Sequence, residues 1–163
     1  MWQQSVDEKV VLVIGTGGIL ASMVLAMQAE AQAQRGDMDE AAALALEALE
    51  LDRELSPEPH AELVRAYSTA ADTLMLAGKL DDAERVVLEG LATLDALEPM
   101  DHLRGKLALD LAKIALRRGD RASLRQRCRS GKAGLQAAWA REEVAAWCET
   151  QGVSTAKEGA AHR

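Results

Sequence analysis

Phenylalanine is absent from this 163-residue chain, and the aromatic share is only 2%. With β-branched residues also scarce, an all-β fold is excluded, because strands favour both kinds. Cysteine occurs twice, too rarely for a disulfide framework or a four-Cys zinc site. The three histidines, His60, His102 and His162, are isolated. None pairs with another at the helical spacing that a metal-binding helix needs, and neither cysteine has a metal-ligand spacing. No catalytic residue, metal or cofactor is therefore expected. What the chain has instead is 31 Ala and 23 Leu. Both are strong helix formers, and the charged fraction of 28% is that of a folded domain rather than a disordered one.

Charge is distributed unevenly. Residues 1–100 carry 19 acidic and 6 basic side chains, whereas residues 101–163 carry 7 acidic and 13 basic. Such asymmetry suits directional contacts or head-to-tail self-association, and equally suits two solvated faces.

Residues 10–27 read VVLVIGTGGILASMVLAM, an uncharged run of 18. As a helix this would span about 27 Å, close to the apolar thickness of a bilayer. It is a candidate membrane anchor, and Gly18, Ser22 and Ala26 form a small-residue stripe on which another membrane helix could pack. On this reading the protein is membrane-associated through one helix and otherwise cytoplasmic, with the side of the membrane open. Three other readings remain. A buried core helix is one. A signal peptide ending near Ala29-Glu30-Ala31 is another, although Asp7 and Glu8 oppose it. The third is a nucleotide loop at residues 15–18, but the third glycine of that motif is missing, with Leu20 in its place.

From Ala21 onward the pattern is helical and repeats. Arg35-Gly36-Asp37-Met38-Asp39-Glu40-Ala41, Ala77-Gly78-Lys79-Leu80-Asp81-Asp82-Ala83 and Arg118-Gly119-Asp120-Arg121-Ala122-Ser123-Leu124 align, with their glycines 42 and 41 residues apart. Each glycine is placed to end one helix in a left-handed conformation, and a nearby Asp to cap the next. After each turn, Ala41/Ala45/Ala48, Ala83/Val87/Gly90 and Leu124/Cys128/Gly131 fall on one face, where small residues let paired helices pack closely. Residues 137–149 make one more helix, with Trp139 and Trp147 expected to pack as a cap. From Gly152 on, a small, polar, mobile tail is expected.

These segments resemble the tetratricopeptide repeat family. Gly36-Asp-Met-Asp-Glu-Ala, continuing to Ala48-Leu49-Glu50-Leu51-Asp52, carries the resemblance best, the Gly78 segment well and the Gly119 segment loosely. The likeness covers residues 22–136, with a period longer than the usual 34. The family's first-helix aromatic survives only as Tyr67, with Leu25 and Ala108 in its place elsewhere. Arg53, Asp95 and Gln136 stand where its closing proline would fall. The resemblance implies an all-α helical-hairpin solenoid of three repeats and a capping helix, preceded by an apolar N-terminal helix. The segments expected are residues 1–27, 28–150 and 151–163. It also implies a partner-binding concave face, carried here by Glu30, Arg65, Ser68, Asp72, Met75, Lys106 and Lys113, beside Met23, Ala26 and Leu109.

A second candidate surface is basic: Arg121, Arg125, Arg129 and Lys132 make one stripe at helical spacing. It suits an acidic protein surface or anionic lipid. Nucleic acid is not expected, because the net charge is −7 and no aromatic residues interleave the stripe. Cys128 falls on a core face, and its spacing from Cys148 leaves pairing open. The function expected is a non-catalytic scaffold or adaptor that holds protein partners. The alternatives are a subunit of a larger membrane complex and, third, a nucleotide-binding enzyme.

Overall fold

The computed structural model describes residues 18–155, so readings that rest on residues 10–17 or His162 lie outside the described residues. Among the described residues there are seven helices and no strand: α1 Gly18–Arg35, α2 Met38–Leu55, α3 Ala61–Leu76, α4 Leu80–Asp95, α5 Asp101–Arg117, α6 Arg121–Ala133 and α7 Ala138–Thr150. The chain divides into two compact units, Met1–Ala96 and Leu97–Arg163. This division falls inside the span expected as one repeat domain, close to the point where the charge changes sign.

In the first unit, α1 packs on α2 and α3 on α4, while α3 also meets α2 and α1. The pairing follows from the turns. Gly36 and Gly78 hold φ of +91° and +73°, a region that costs a side chain with a Cβ about 1–2 kcal/mol. The carbonyls orphaned at the end of α1 are met by Asp37 N–H on Gln32, and those of α3 by Lys79 N–H on Leu74. The face of small residues is buried as expected: Ala41, Ala45 and Ala48 on α2, and Ala83, Val87 and Gly90 on α4. Capping departs from expectation. Asp37 makes no side-chain cap bond, and the cap position of α4 is Lys79, which instead pairs with Asp39 at 2.6 Å. Arg53, standing where a proline was expected, ties three helices together. Its guanidinium lies 5.0 Å from the Tyr67 ring centroid, donates to the Tyr67 hydroxyl and pairs with Glu50 and Glu89.

In the second unit, α5 and α6 form a hairpin about Gly119, at φ +72°. Here the cap is made: the Asp120 carboxylate accepts from Ala122 N–H and Ser123 N–H. The third helix, α7, packs on both others. Asp101 accepts from the Ala137 N–H at its start, and a turn at Gly152 ends it. Cys128 on α6 and Cys148 on α7, both fully buried, form a disulfide. Trp147 packs against this core, but Trp139 is 55% exposed and does not act as the expected cap. Residues 151–155 do not match the expected mobile tail. Val153 and Thr155 are buried, because the chain turns back over the hairpin.

The two helical glycines of this hairpin differ in what surrounds them. A Cβ on Gly105 would meet only Leu135 and Val144 side-chain atoms, at 3.8–3.9 Å. Gly105→Ala is therefore expected to stabilise the unit by about 0.5–1 kcal/mol, since alanine removes the entropic cost of a mid-helix glycine. A urea midpoint that rises without a change in slope checks it.

Candidate functional site

The first unit contains an open cavity of about 420 Å³ walled by α1, α2 and α3. Its apolar wall arises where side chains are small: Ala26 from α1, Ala45 and Ala48 from α2, Ala66 and Ala70 from α3. These alanines recur at i, i+3 and i+4, so each helix turns one low ridge toward the same space. Leu49 and Leu55 extend the wall, and Met23 stands at its edge.

The polar groups in it are few. The hydroxyls of Thr69 and Thr73 already donate to the carbonyls of Arg65 and Thr69. Asp52, half-buried on α2, accepts from the Ser22 hydroxyl. Burial pushes its carboxyl above the usual Asp value, while the Ser22 hydrogen bond and the nearby His60 pull it back only in part. His60 is the cap of α3, its Nδ1 accepting from the Leu63 N–H at 3.2 Å. A ring nitrogen that accepts leaves the hydrogen on the other, so Nε2 is a donor. That atom is buried and has no hydrogen-bond partner among the described residues. A buried donor without an acceptor costs about 1–3 kcal/mol.

Asp52 gives a pH prediction. Its folded pKa lies above the ordinary 3.8, so the folded state holds its proton more tightly than the unfolded chain does. The resulting penalty grows as pH rises through the ordinary Asp range and is complete above the folded value. Asp52→Asn is therefore expected to raise the urea midpoint of the first unit at pH 7. Paired melts should show this gain fading as pH falls through the raised folded value toward 3.8, and lost below that.

Beside the cavity, α1 turns Leu20, Met23, Val24 and Met27 outward, each more than half exposed. They recur at i, i+3, i+4 and i+7, so they form one apolar stripe. The same helix uses its small-residue face within the chain: Ser22 is buried and Ala26 lines the cavity. Ser22 is therefore turned toward the chain's own core, while Ala26 faces the open cavity. No helix among the described residues is long and apolar enough to cross a membrane.

The expected concave-face residues scatter. Glu30 and Arg65 are exposed, and Arg65 pairs with Glu62 at the cavity rim. Ser68 and Met75 are buried and not free to meet a partner, a correction that follows from their position on the packed side of α3. Asp72 is partly buried. Lys106 and Lys113 belong to the second unit, where both face the fully buried Asp110, at 3.6 and 2.8 Å. Those cations balance an internal charge. Of the basic stripe, Arg121, Arg125 and Arg129 are exposed. Its two ends are held by the chain itself, Arg121 by the Gln151 carbonyl and Lys132 by the Thr155 hydroxyl.

No three His, Cys, Asp or Glu side chains among the described residues gather as a metal site would require. No family model, curated protein or solved structure matches the chain.

Proposed function

We propose that the chain is a non-catalytic docking module, a scaffold or adaptor built from tetratricopeptide-like hairpins, and that the cavity of its first unit is where a protein partner is held. The observation that carries this reading is the pairing of an alanine-walled space with one unsatisfied donor, His60 Nε2, and one partly desolvated acceptor, Asp52. A peptide group carries an acceptor and a donor on adjacent atoms. A peptide carbonyl takes the His60 hydrogen, a peptide N–H meets Asp52, and the neighbouring apolar side chain fills the alanine wall. The stripe Leu20, Met23, Val24 and Met27 extends the contact along α1. A volume of about 420 Å³ is at the small end of ligand pockets, which run roughly 300–1,000 Å³, and suits a side chain or two rather than a cofactor. The Asp52 charge disfavours a ligand carboxylate.

Titrating the full chain with three small probes, followed by amide NMR shifts, tests the chemistry. N-acetyl-leucinamide is expected to shift residues around Ala45, Asp52 and Thr69 saturably. N-acetyl-glycinamide lacks the apolar side chain, and N-acetyl-leucine carries a carboxylate in place of the second amide. Each is expected to bind at least roughly tenfold more weakly. His60→Asn keeps a residue that caps well but removes the ring donor, so it should weaken binding of the leucine amide. Equal shifts from all three probes, or shifts away from the cavity, would sink the assignment.

The second reading is a subunit of a membrane complex, and the exposed apolar stripe on α1 favours it. The first unit's acidic charge disfavours direct contact with anionic lipid, so a protein surface remains the better partner for that stripe.

A further inference from the structure

The second unit holds the chain's only two cysteines, and they are bonded to each other. Three features make this bridge a working part of the unit. The two residues stand on facing sides of separate helices, with Cα atoms 6.0 Å apart, within the range that a disulfide spans without moving the backbone. Both are buried among core side chains and closed to solvent. The helices they join have little else to hold them: α6 buries only Leu124 and Cys128, and α7 only Ala140, Val144 and Cys148. Small units of this size have too little core for ample stability, and natural chains of that size are commonly stapled.

We infer that Cys128–Cys148 is an installed structural cystine, and that the protein therefore works in an oxidising compartment outside the cytosol. Closing the bridge removes one hydrogen from each thiol as two protons and two electrons. The electrons go to the disulfide of a thiol–disulfide exchange catalyst, which is itself reduced to a dithiol. Cytosolic thiol pools reverse such bridges, whereas exported proteins keep them. The inference stands in place of the cytoplasmic location expected from the sequence. It is independent of the docking reading, since it concerns the other unit and a different chemistry.

With only two cysteines, the test has a simple readout. Native cells are quenched in acid, denatured and treated with a mass-tagged maleimide, with and without prior reduction. The expected result is no adduct before reduction and two adducts after it. Protease added to cells freed of their wall is expected to remove the domain while a cytosolic marker survives. Two adducts without reduction would overturn the inference, and so would a domain that survives protease together with the marker. The experiment uses the unmodified full chain, so no variant has to fold.

Discussion

Reducing Cys128–Cys148 in the purified protein is expected to cost the second unit about 2–4 kcal/mol and to release α7 before anything else. The bridge spans 20 residues of sequence, a length for which constraint of the unfolded chain accounts for roughly 3 kcal/mol. Stabilities of whole domains are only about 5–15 kcal/mol, so this is a large share. The order of events follows from burial. α5 buries nine residues, including Leu107, Leu111 and Ile114, whereas α7 buries three, one of them Cys148 itself. Among the contacts that would remain for α7 are the Ala137 N–H on Asp101, the Arg121 guanidinium on the Gln151 carbonyl and the packing of Ala140, Val144 and Trp147. Hydrogen exchange with and without reductant checks the prediction. Amides from Val144 to Cys148 should lose protection while those of α5 keep most of theirs. The double variant Cys128→Ser, Cys148→Ser should behave like the reduced protein. An unchanged urea midpoint on reduction would contradict the prediction.

Gly131→Leu is expected to destabilise the α5–α6 hairpin. A Cβ placed on Gly131 would lie 2.9 Å from the Ala108 Cβ, closer than two such carbons approach. The atom it meets is not the far end of a flexible side chain, so it cannot swing aside. The helices would have to part, and the further atoms of leucine would widen the gap. Overpacking of this kind costs about 1–3 kcal/mol. Separation of α5 from α6 would also disturb Val144, which lies 3.8 Å from the same point. A urea melt of the variant, read against Gly105→Ala in the same hairpin, makes the contrast internal: one glycine gains from a methyl group and the other does not tolerate a side chain.

The turns were the most legible part of the fold. A glycine at positive φ is needed wherever a helix ends in this hydrogen-bonded form, so Gly36, Gly78 and Gly119 marked the hairpins from spacing alone. The small-residue faces were legible for the same kind of reason, since Ala41, Ala45 and Ala48 fall on one side of any helix. Capping was only partly legible. Asp37 and Asp120 stand at equivalent places, yet only Asp120 caps, because the turn geometry rather than the residue type decides whether the carboxylate reaches the amides. Lys106 and Lys113, expected on the concave face, both lie beside an acid of their own helix. Lys106 and Lys113 stand four residues before Asp110 and three after it, a spacing that already pointed inward.

The cavity was the least legible. Its walls come from three helices whose alanines look alike in sequence, and its polar groups include Asp52 and one histidine that follows two prolines in a linker. Sequence showed His60 as isolated. Only the fold reveals that Nδ1 is spent on the α3 cap, leaving Nε2 buried and unpaired. The faint signal was its position directly before Ala61, where a capping residue belongs. The pairing of Cys128 with Cys148 was equally beyond reach, because twenty residues of spacing say nothing about whether two helices face each other.

The central claim is that a protein partner docks on the cavity side of the first unit, and photo-crosslinking in native cells tests it most directly. A benzophenone amino acid would be placed singly at Met23, Leu55 and Ala66 around the cavity, and at Leu88 and Trp139 as exposed apolar controls elsewhere. The account predicts one discrete adduct of the same mass from the three cavity positions and none from the two controls. Adducts from Leu88 or Trp139 with nothing from the cavity positions would contradict it.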